Sequence, residues 1–148
     1  MAKNREQRAS LENAAHFRAV HRHARMGEYK ARKVIDMIRG LPVNQALDLL
    51  AHDKHRASPA VRKVLASAVA NALQNESVRP NRLIVSKAWV HGGPLLQGRL
   101  RWRSGPMGRA MPIRKRTCHI HIHVADPSVA DPRVAESSVA AGAREEKN

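Results

Sequence analysis

Apolar residues recur at helical spacing in three segments of the first half of the chain. The first segment predicts a helix over 29–39, which Gly40 brings to an end. The second predicts a helix over 43–50, and the third predicts a longer helix with Ser58 as its N-cap and Pro59 in its first turn. The apolar positions that follow the i, i+3, i+4 rule are Ala31, Val34, Ile35 and Ile38; Val43, Ala46, Leu47 and Leu50; and Val61, Val64, Leu65, Ala68, Val69, Ala72 and Leu73.

Alternation of apolar and polar residues predicts β-strands in the rest of the chain. Residues 117–124 alternate without a fault, with Cys118 and three aliphatic residues on one face and polar residues on the other. Residues 83–91 are β-branched and aromatic and predict a second strand, and 17–25 suit a third strand with a basic edge. Residues 1–16 fit either a short helix or a disordered arm.

Between Glu76 and Asp126 the chain contains ten Lys or Arg and no acidic residue. The middle of this stretch, 92–116, is rich in Gly, Pro and Arg. Like charges repel each other, so such a segment favours a polyanionic partner, and nucleic acid is the obvious candidate. A connection this long between two strands is usually functional. If the flanking strands continue through it, they form an arm about 35–40 Å long at ~3.3 Å per residue.

Composition and charge favour one basic domain with tails. The 148 residues carry a formal charge of +15 at a pI near 11.5, and aromatics make up only 3%, which predicts a small, helix-rich core. Residues 1–124 hold 24 Lys and Arg against 7 Asp and Glu, whereas 125–148 hold 3 against 5. We therefore expect an N-terminal extension over 1–16, a domain over 17–124, and a disordered tail over 125–148, where a crude five-residue repeat contains two prolines.

The chain lacks the sequence signals of a membrane or secreted protein. No apolar run approaches the roughly 18 residues of a membrane span, and no apolar segment follows the charged N-terminus as in a secretory signal. A cytoplasmic protein is expected.

Within the basic segment, arginines alternate with apolar residues. On an extended arm Arg99, Arg101 and Arg103 share one face, and Leu100 and Trp102 share the other. The guanidinium group offers forked donors to phosphate oxygens, and an indole ring can stack on an unpaired base. A solvated loop that merely happens to be basic is the alternative, but seven cations and no anion lie within 92–116.

Other chemistry finds little support in the sequence. His119, His121 and His123 have a metal-ligand spacing, but no carboxylate lies nearby to orient the rings, so a polar or RNA-facing strand surface is the better interpretation. Cys118 lies on the apolar side of its strand and is expected in the core. Acidic residues are too scarce for paired-carboxylate catalysis. We expect no catalytic residue, no metal site and no cofactor.

Three blocks in collinear order resemble the family of the bacterial large-subunit ribosomal protein number twenty-two, and together they cover roughly residues 19–124. The blocks are HRHAR with KARKVIDMIRG (21–25 and 30–40), KVLASAVANALQN (63–75), and GGP (92–94) with GRA (108–110) and IRKRTCHI (113–120).

The resemblance implies an α+β fold of three helices packed on a small antiparallel sheet, with a long protruding basic β-hairpin at about 91–117. It also implies a structural role in the large ribosomal subunit: binding of large-subunit rRNA, support of subunit assembly, and a hairpin that lines the nascent-peptide exit tunnel. The implied partners are large-subunit (23S-type) rRNA, neighbouring ribosomal proteins including large-subunit protein number four, and the nascent polypeptide.

The resemblance also assigns sites. Carried over residue by residue, and with Trp102 added for stacking, the expected RNA contacts are Arg22, Arg25, Lys30, Arg32, Arg39, Arg99, Arg101, Trp102, Arg103, Arg109, Arg114, Lys115 and Arg116. The expected hairpin tip in the tunnel consists of Arg103, Ser104, Gly105, Pro106, Met107 and Gly108.

The sequence departs from the family pattern in three places. The hairpin is about three residues longer through 101–107, Pro112 stands where a basic residue is common, and both ends lie outside the resemblance. Two other function classes stay open. An architectural DNA-binding protein also uses basic β-arms but needs a dimer surface that the sequence does not suggest. A nuclease-like enzyme needs a metal site.

Overall fold

A computed structural model describes residues 14–130, with side chains through Pro127. In chain order its elements are β1 (Ala14–Ala24), α1 (Glu28–Ile38), α2 (Val43–His52), α3 (Ser58–Ala72), β2 (Ile84–Leu95), β3 (Arg101–Ser104), β4 (Ala110–Ile113) and β5 (Arg116–Ala130). Short 3₁₀ turns lie at Pro80–Arg82, Leu96–Gly98 and Pro106–Gly108. None of the helices between residues 14 and 130 is long and apolar enough to cross a membrane.

The strands form two antiparallel sheets. The main sheet has the order β1-β5-β2, so β5 pairs with both neighbours, and β3 pairs with β4 in the hairpin. α1 and α3 pack on one face of the main sheet, α2 packs against α3, and the side chains between these elements form the core. This arrangement confirms the expected α+β fold with a hairpin-like strand pair.

The predicted apolar stripes form that core. Ile35 of α1, Leu65 of α3, and Ile120 and Ile122 of β5 are all fully buried. Cys118 is buried among them, as the alternation of its strand predicted, and burial raises the pKa of its thiol. Because each stripe is contiguous on its element, the helices and the sheet can bury these residues together.

The predicted N-cap of the third helix is wrong by one residue. Ser58 is already helical and Ala57 occupies the capping position, without a side-chain cap. The Ser58 hydroxyl instead donates to the carboxylate of Asp53, which also accepts a hydrogen bond from the His55 ring. Both bonds favour the charged carboxylate, so they hold the pKa of Asp53 below its usual value.

Asp53, His55 and Ser58 are the residue types of a catalytic triad, but their connectivity differs from one. The carboxylate lies between the hydroxyl and the imidazole and accepts from both. In a nucleophilic site the imidazole must reach the hydroxyl to take its proton. The group therefore orders the loop that leads into α3 and does not activate a nucleophile.

The sheet extends beyond both predicted domain boundaries. β1 begins at Ala14, inside the predicted extension, and β5 continues to Ala130, inside the predicted tail. The expected disorder is therefore wrong for 125–130. Ala125 and Asp126 are fully buried, and the Asp126 carboxylate accepts a hydrogen bond from the backbone N–H of Arg79. The first acidic residue after the basic stretch is thus a buried acceptor and does not mark the end of the fold. Residues 1–13 and 131–148, with most of the repeat, lie outside the described residues.

Candidate nucleic-acid interface

A groove of about 890 Å³ lies where the hairpin leaves the body. The beginning of α1, the loop before α3 and both arms of the hairpin line it. None of its lining residues is acidic, and eight are cationic: Arg25, Lys30, Lys33, Arg56, Arg101, Arg114, Lys115 and Arg116. Cations collected in a concave surface reinforce one another's potential, so the groove favours a phosphate chain as ligand.

The hairpin is not a simple continuation of its flanking strands. Leu95 pairs with Arg116 and Arg101 pairs with Ile113, so five residues of the outgoing arm face two residues of the returning arm. The extra residues form a turn in which Gln97 and Gly98 both have positive φ. Because the outgoing strand is interrupted there, β3 starts anew and Arg101 lies at the groove. The flanking strands therefore do not simply continue through the segment, and the arm length that such continuation would give does not apply.

The base of the hairpin is closely packed. The hydroxyl of Thr117 donates to the carbonyl of Pro94, and the N–H of Leu96 donates to the carbonyl of Lys115. A Cβ atom on Gly93 would lie 2.6 Å from the Thr117 hydroxyl oxygen, so only glycine allows the two arms to approach this closely. This contact gives a physical reason for the GGP block.

The structure brings together six of the predicted RNA-contact residues in the groove: Arg25, Lys30, Arg101, Arg114, Lys115 and Arg116. It adds Lys33, His55 and Arg56, which sequence reasoning missed. Lys33 lies one turn from Lys30 on the same helix, so helical spacing was a usable signal. Arg56 lies in a loop, and nothing in its sequence context pointed to the groove.

The remaining predicted residues lie elsewhere. Arg22 lines a shallow depression between β1 and α3, together with Lys63. The Arg32 guanidinium lies over the Tyr29 ring, 5.3 Å from its centroid. Four predicted contact residues are exposed on the hairpin but lie outside the groove: Arg99, Trp102, Arg103 and Arg109. Of the three alternating arginines, only Arg101 and Arg103 belong to one strand, because Arg99 follows the turn.

Arg39 has a structural contact that its assignment to RNA did not anticipate. Its Nε and Nη2 both donate to the carbonyl of Ala88, at 3.2 and 2.7 Å, and so tie the end of α1 to β2. An ion pair with Asp36 at 2.9 Å is largely exposed and adds little.

Replacing Arg39 by Ala is expected to lower the free energy of unfolding by about 1 kcal/mol, because it leaves the Ala88 carbonyl without these donors. Denaturant unfolding measures the change, with R62A on the exposed face of α3 as the control. An equal effect of the two substitutions would contradict the structural role of Arg39.

The tip of the hairpin is a five-residue turn that begins one residue after the last strand pair. Ser104 pairs with Ala110, and the N–H of Gly105 donates to the carbonyl of Arg109 at 2.6 Å. Met107 is 96% exposed at the apex of the turn. Of the six expected tip residues, Arg103 and Ser104 belong to β3, and the turn itself spans 105–109.

A cluster of aromatic rings covers the face of the main sheet that points away from the helices. Trp89 stacks parallel on His121, with centroids 5.3 Å apart and an interplanar angle of 5°. His123 lies tilted against the same indole at 4.8 Å, and His91 meets His121 edge-on at 5.3 Å. Within residues 14–130, no three His, Cys, Asp or Glu side chains are placed to share a metal ion.

Burial lowers the pKa of His119, His121 and His123, and neighbouring histidines and arginines lower it further. The rings are therefore neutral at pH 7. Unfolding returns each ring to a pKa near 6.5, so below that pH the unfolded chain binds protons that the folded chain does not. The stability contributed by these groups is complete above pH 6.5 and is lost as the pH falls.

We accordingly expect the Tm to fall between pH 7.5 and pH 5.5. A variant with glutamine at these three positions should show a weaker dependence of Tm on pH, and the exposed pair H21Q and H52Q serves as the control. Asp53 does not contribute in this window, because its lowered pKa affects stability only near and below pH 3.8. Calorimetric scans at the two pH values measure the change in Tm. An equal change for all variants would contradict the assignment of the pH dependence to His119, His121 and His123.

Residues 19–125 match the family described as ribosomal protein L22p/L17e. The chain belongs to this family. It is 50% identical to the large ribosomal subunit protein uL22 of Synechococcus sp. (strain JA-3-3Ab) over 108 residues, which are 73% of this chain and 85% of that protein. It is 42% identical to the protein of the same name from Trichodesmium erythraeum (strain IMS101) over 115 residues, 78% of this chain and 94% of that protein.

The match confirms the resemblance carried by the three sequence blocks. As an L22p/L17e protein the chain is a structural constituent of the large ribosomal subunit, and its place is the cytoplasmic ribosome. The family is one of structural ribosomal proteins and not of enzymes. The described groove and hairpin both lie within the matched residues.

Proposed function

We propose that this L22p/L17e protein binds large-subunit rRNA through its cationic groove and its arginine-rich hairpin. The observation that carries the proposal is the groove itself, where eight cations from four separate parts of the chain surround one cavity without an acidic residue. Long-range folding brings these charges together against their mutual repulsion. A phosphate backbone in the groove offsets that repulsion, which is why we infer that RNA is the resting partner.

The hairpin extends the same chemistry away from the body. Arg101 and Arg103 alternate with Trp102 on β3, so cations and an indole ring that is 60% exposed point to opposite faces. Arginine suits phosphate oxygens, and the indole suits an unpaired base. Phosphate contacts set the affinity, while the shape of the folded rRNA supplies the specificity.

We further propose that the hairpin tip lines the nascent-peptide exit tunnel beside large-subunit ribosomal protein number four, and that the body supports subunit assembly. An exposed Met107 at the apex, without a charge of its own, suits a surface along which a nascent polypeptide passes. Cations at the groove then bind rRNA domains close to the tunnel wall.

Binding as a function of salt tests the RNA partner. The full chain is titrated with large-subunit rRNA fragments and with duplex DNA of equal length between 50 and 300 mM salt. We expect tighter binding to rRNA, with a slope of log K against log salt that indicates several phosphate contacts. Equal affinity for duplex DNA would favour the architectural DNA-binding alternative.

Replacing Arg99, Arg103 and Arg109, the hairpin arginines that lie outside the groove, by Ala tests the hairpin separately. All three side chains are exposed, so the body should keep its Tm while incorporation into large subunits falls. The matched control replaces the exposed Arg62, Arg79 and Arg82, which lie outside the hairpin. Subunits are washed at moderate salt, and occupancy is measured by quantitative mass spectrometry. Normal occupancy of the hairpin variant would contradict the proposed role.

A further inference from the structure

Two neighbouring rows of cross-strand partners lie on the outer face of the main sheet. Val20, His121 and Trp89 are register partners across β1, β5 and β2 and form the first row. The second row lies two residues further along β5 and consists of Arg18, His123 and Lys87. Directly paired residues share one face of a sheet, so a row with two adjacent rings lies beside a row that ends in a cation on each side.

The charge of this face is of one sign. β1 and β2 contain no acidic residue, and the only one in β5 up to Pro127 is Asp126, which is buried. Arg18 and Lys87 are exposed, and Arg22 lies close enough to affect His121. Cations at the edges of an aromatic surface complement a ligand that has both flat rings and negative charge.

We infer that this face is a second RNA site, which takes an unpaired segment whose bases stack on the Trp89–His121 pair and whose phosphates bind Arg18 and Lys87. Both rings are partly exposed. Sheets that present aromatic rings on one face bind single strands in this way, because every unpaired base offers a flat surface for stacking. The bases of a duplex are already stacked on one another and are not accessible to a flat sheet. The inference shares only the class of ligand with the proposed function, since none of the groove's lining residues belongs to this face.

The histidines fit stacking better than metal binding. Trp89 and His121 lie face to face, and neutral imidazole rings stack without carrying a charge into the sheet surface. An obligate protein partner would instead bury a large apolar patch, whereas this face offers rings framed by cations.

The two tryptophans allow the site to be observed in the full chain. In a W102F background Trp89 is the only tryptophan, so its fluorescence reports the sheet face and not the hairpin. An unstructured oligonucleotide, such as a nine-residue oligoadenylate RNA, should quench it in a saturable manner. Duplex RNA and polyglutamate serve as comparison ligands. The dissociation constants obtained from their quenching of Trp89 should be at least tenfold higher.

Exposed charges supply variants that leave the fold intact. The double variant R18Q/K87Q should weaken oligoadenylate binding, measured by Trp89 fluorescence, about tenfold. The matched double variant R62Q/R82Q should not. H121A removes one stacking ring and should lower the affinity about 5- to 150-fold, the range for loss of one stacking contact. Thermal melts check that each variant is folded.

The outcomes separate this site from the groove. Absence of saturable quenching, equal quenching by polyglutamate, or equal effects of the two charge pairs would overturn the inference. Neutralising Lys33, Arg56 and Arg101 in the groove should leave the binding seen by Trp89 unchanged. If those groove substitutions also fail to affect rRNA affinity, the proposed function fails while the sheet-face site stands.

Discussion

Replacing Lys33, Arg56 and Arg101 by Gln should lower the affinity for large-subunit rRNA about 30- to 150-fold at physiological salt. The three residues come from α1, from the loop before α3 and from the hairpin, and they meet only in the groove. At about 0.7–1 kcal/mol for each lost phosphate contact, three contacts give this range. Each contact also releases counterions, so the slope of log K against log salt should fall by about 2.

The matched control for the groove is R62Q with R79Q and R82Q, which changes the net charge by the same amount. These side chains are exposed but do not line the groove. If affinity depends on total charge alone, both triple variants will weaken binding equally, and the groove is not the site. Binding is measured by titration at three salt concentrations.

Replacing Leu65 by Ala should lower the free energy of unfolding by about 3 kcal/mol. Leu65 is fully buried on the face of α3 that packs into the core, and truncation leaves a cavity that the surrounding side chains fill only in part. A domain of this size is stable by only about 5–15 kcal/mol, so the variant loses a large share of its stability.

Leu73 provides the control for this cavity effect. It belongs to the same predicted stripe but lies just beyond the end of α3 and is 48% exposed. L73A should therefore cost less than about 1 kcal/mol. Urea unfolding of both variants measures the difference, and equal destabilisation would contradict the core position of Leu65.

Hydrophobic periodicity determined the elements and the core of this protein. The stripes at Ile35 and Leu65 and the alternation around Ile120 predicted the buried faces, because a helix or strand that hides one face must repeat apolar residues at its own period. Element boundaries were predicted less well. Ser58 does not cap its helix, because its own backbone is already helical and Ala57 occupies the capping position.

The distribution of charge along the chain also led to a wrong prediction of where the folded domain ends. Asp126 looked like the beginning of an acidic tail, yet it is buried as an acceptor for a backbone N–H. A sequence shows that a residue is charged, but only packing decides whether solvent or a donor surrounds it.

The sequence by itself determined that a basic segment lies between two strands and that the chain favours a polyanion. It could not determine which cations act together. Lys33, Arg56 and Arg101 are separated by more than 20 residues from one another, and the extra residues at Gln97 and Gly98 are what place Arg101 at the groove. Periodicity is a property of neighbours along the chain, whereas a binding surface depends on contacts between distant segments, and those exist only in the tertiary structure.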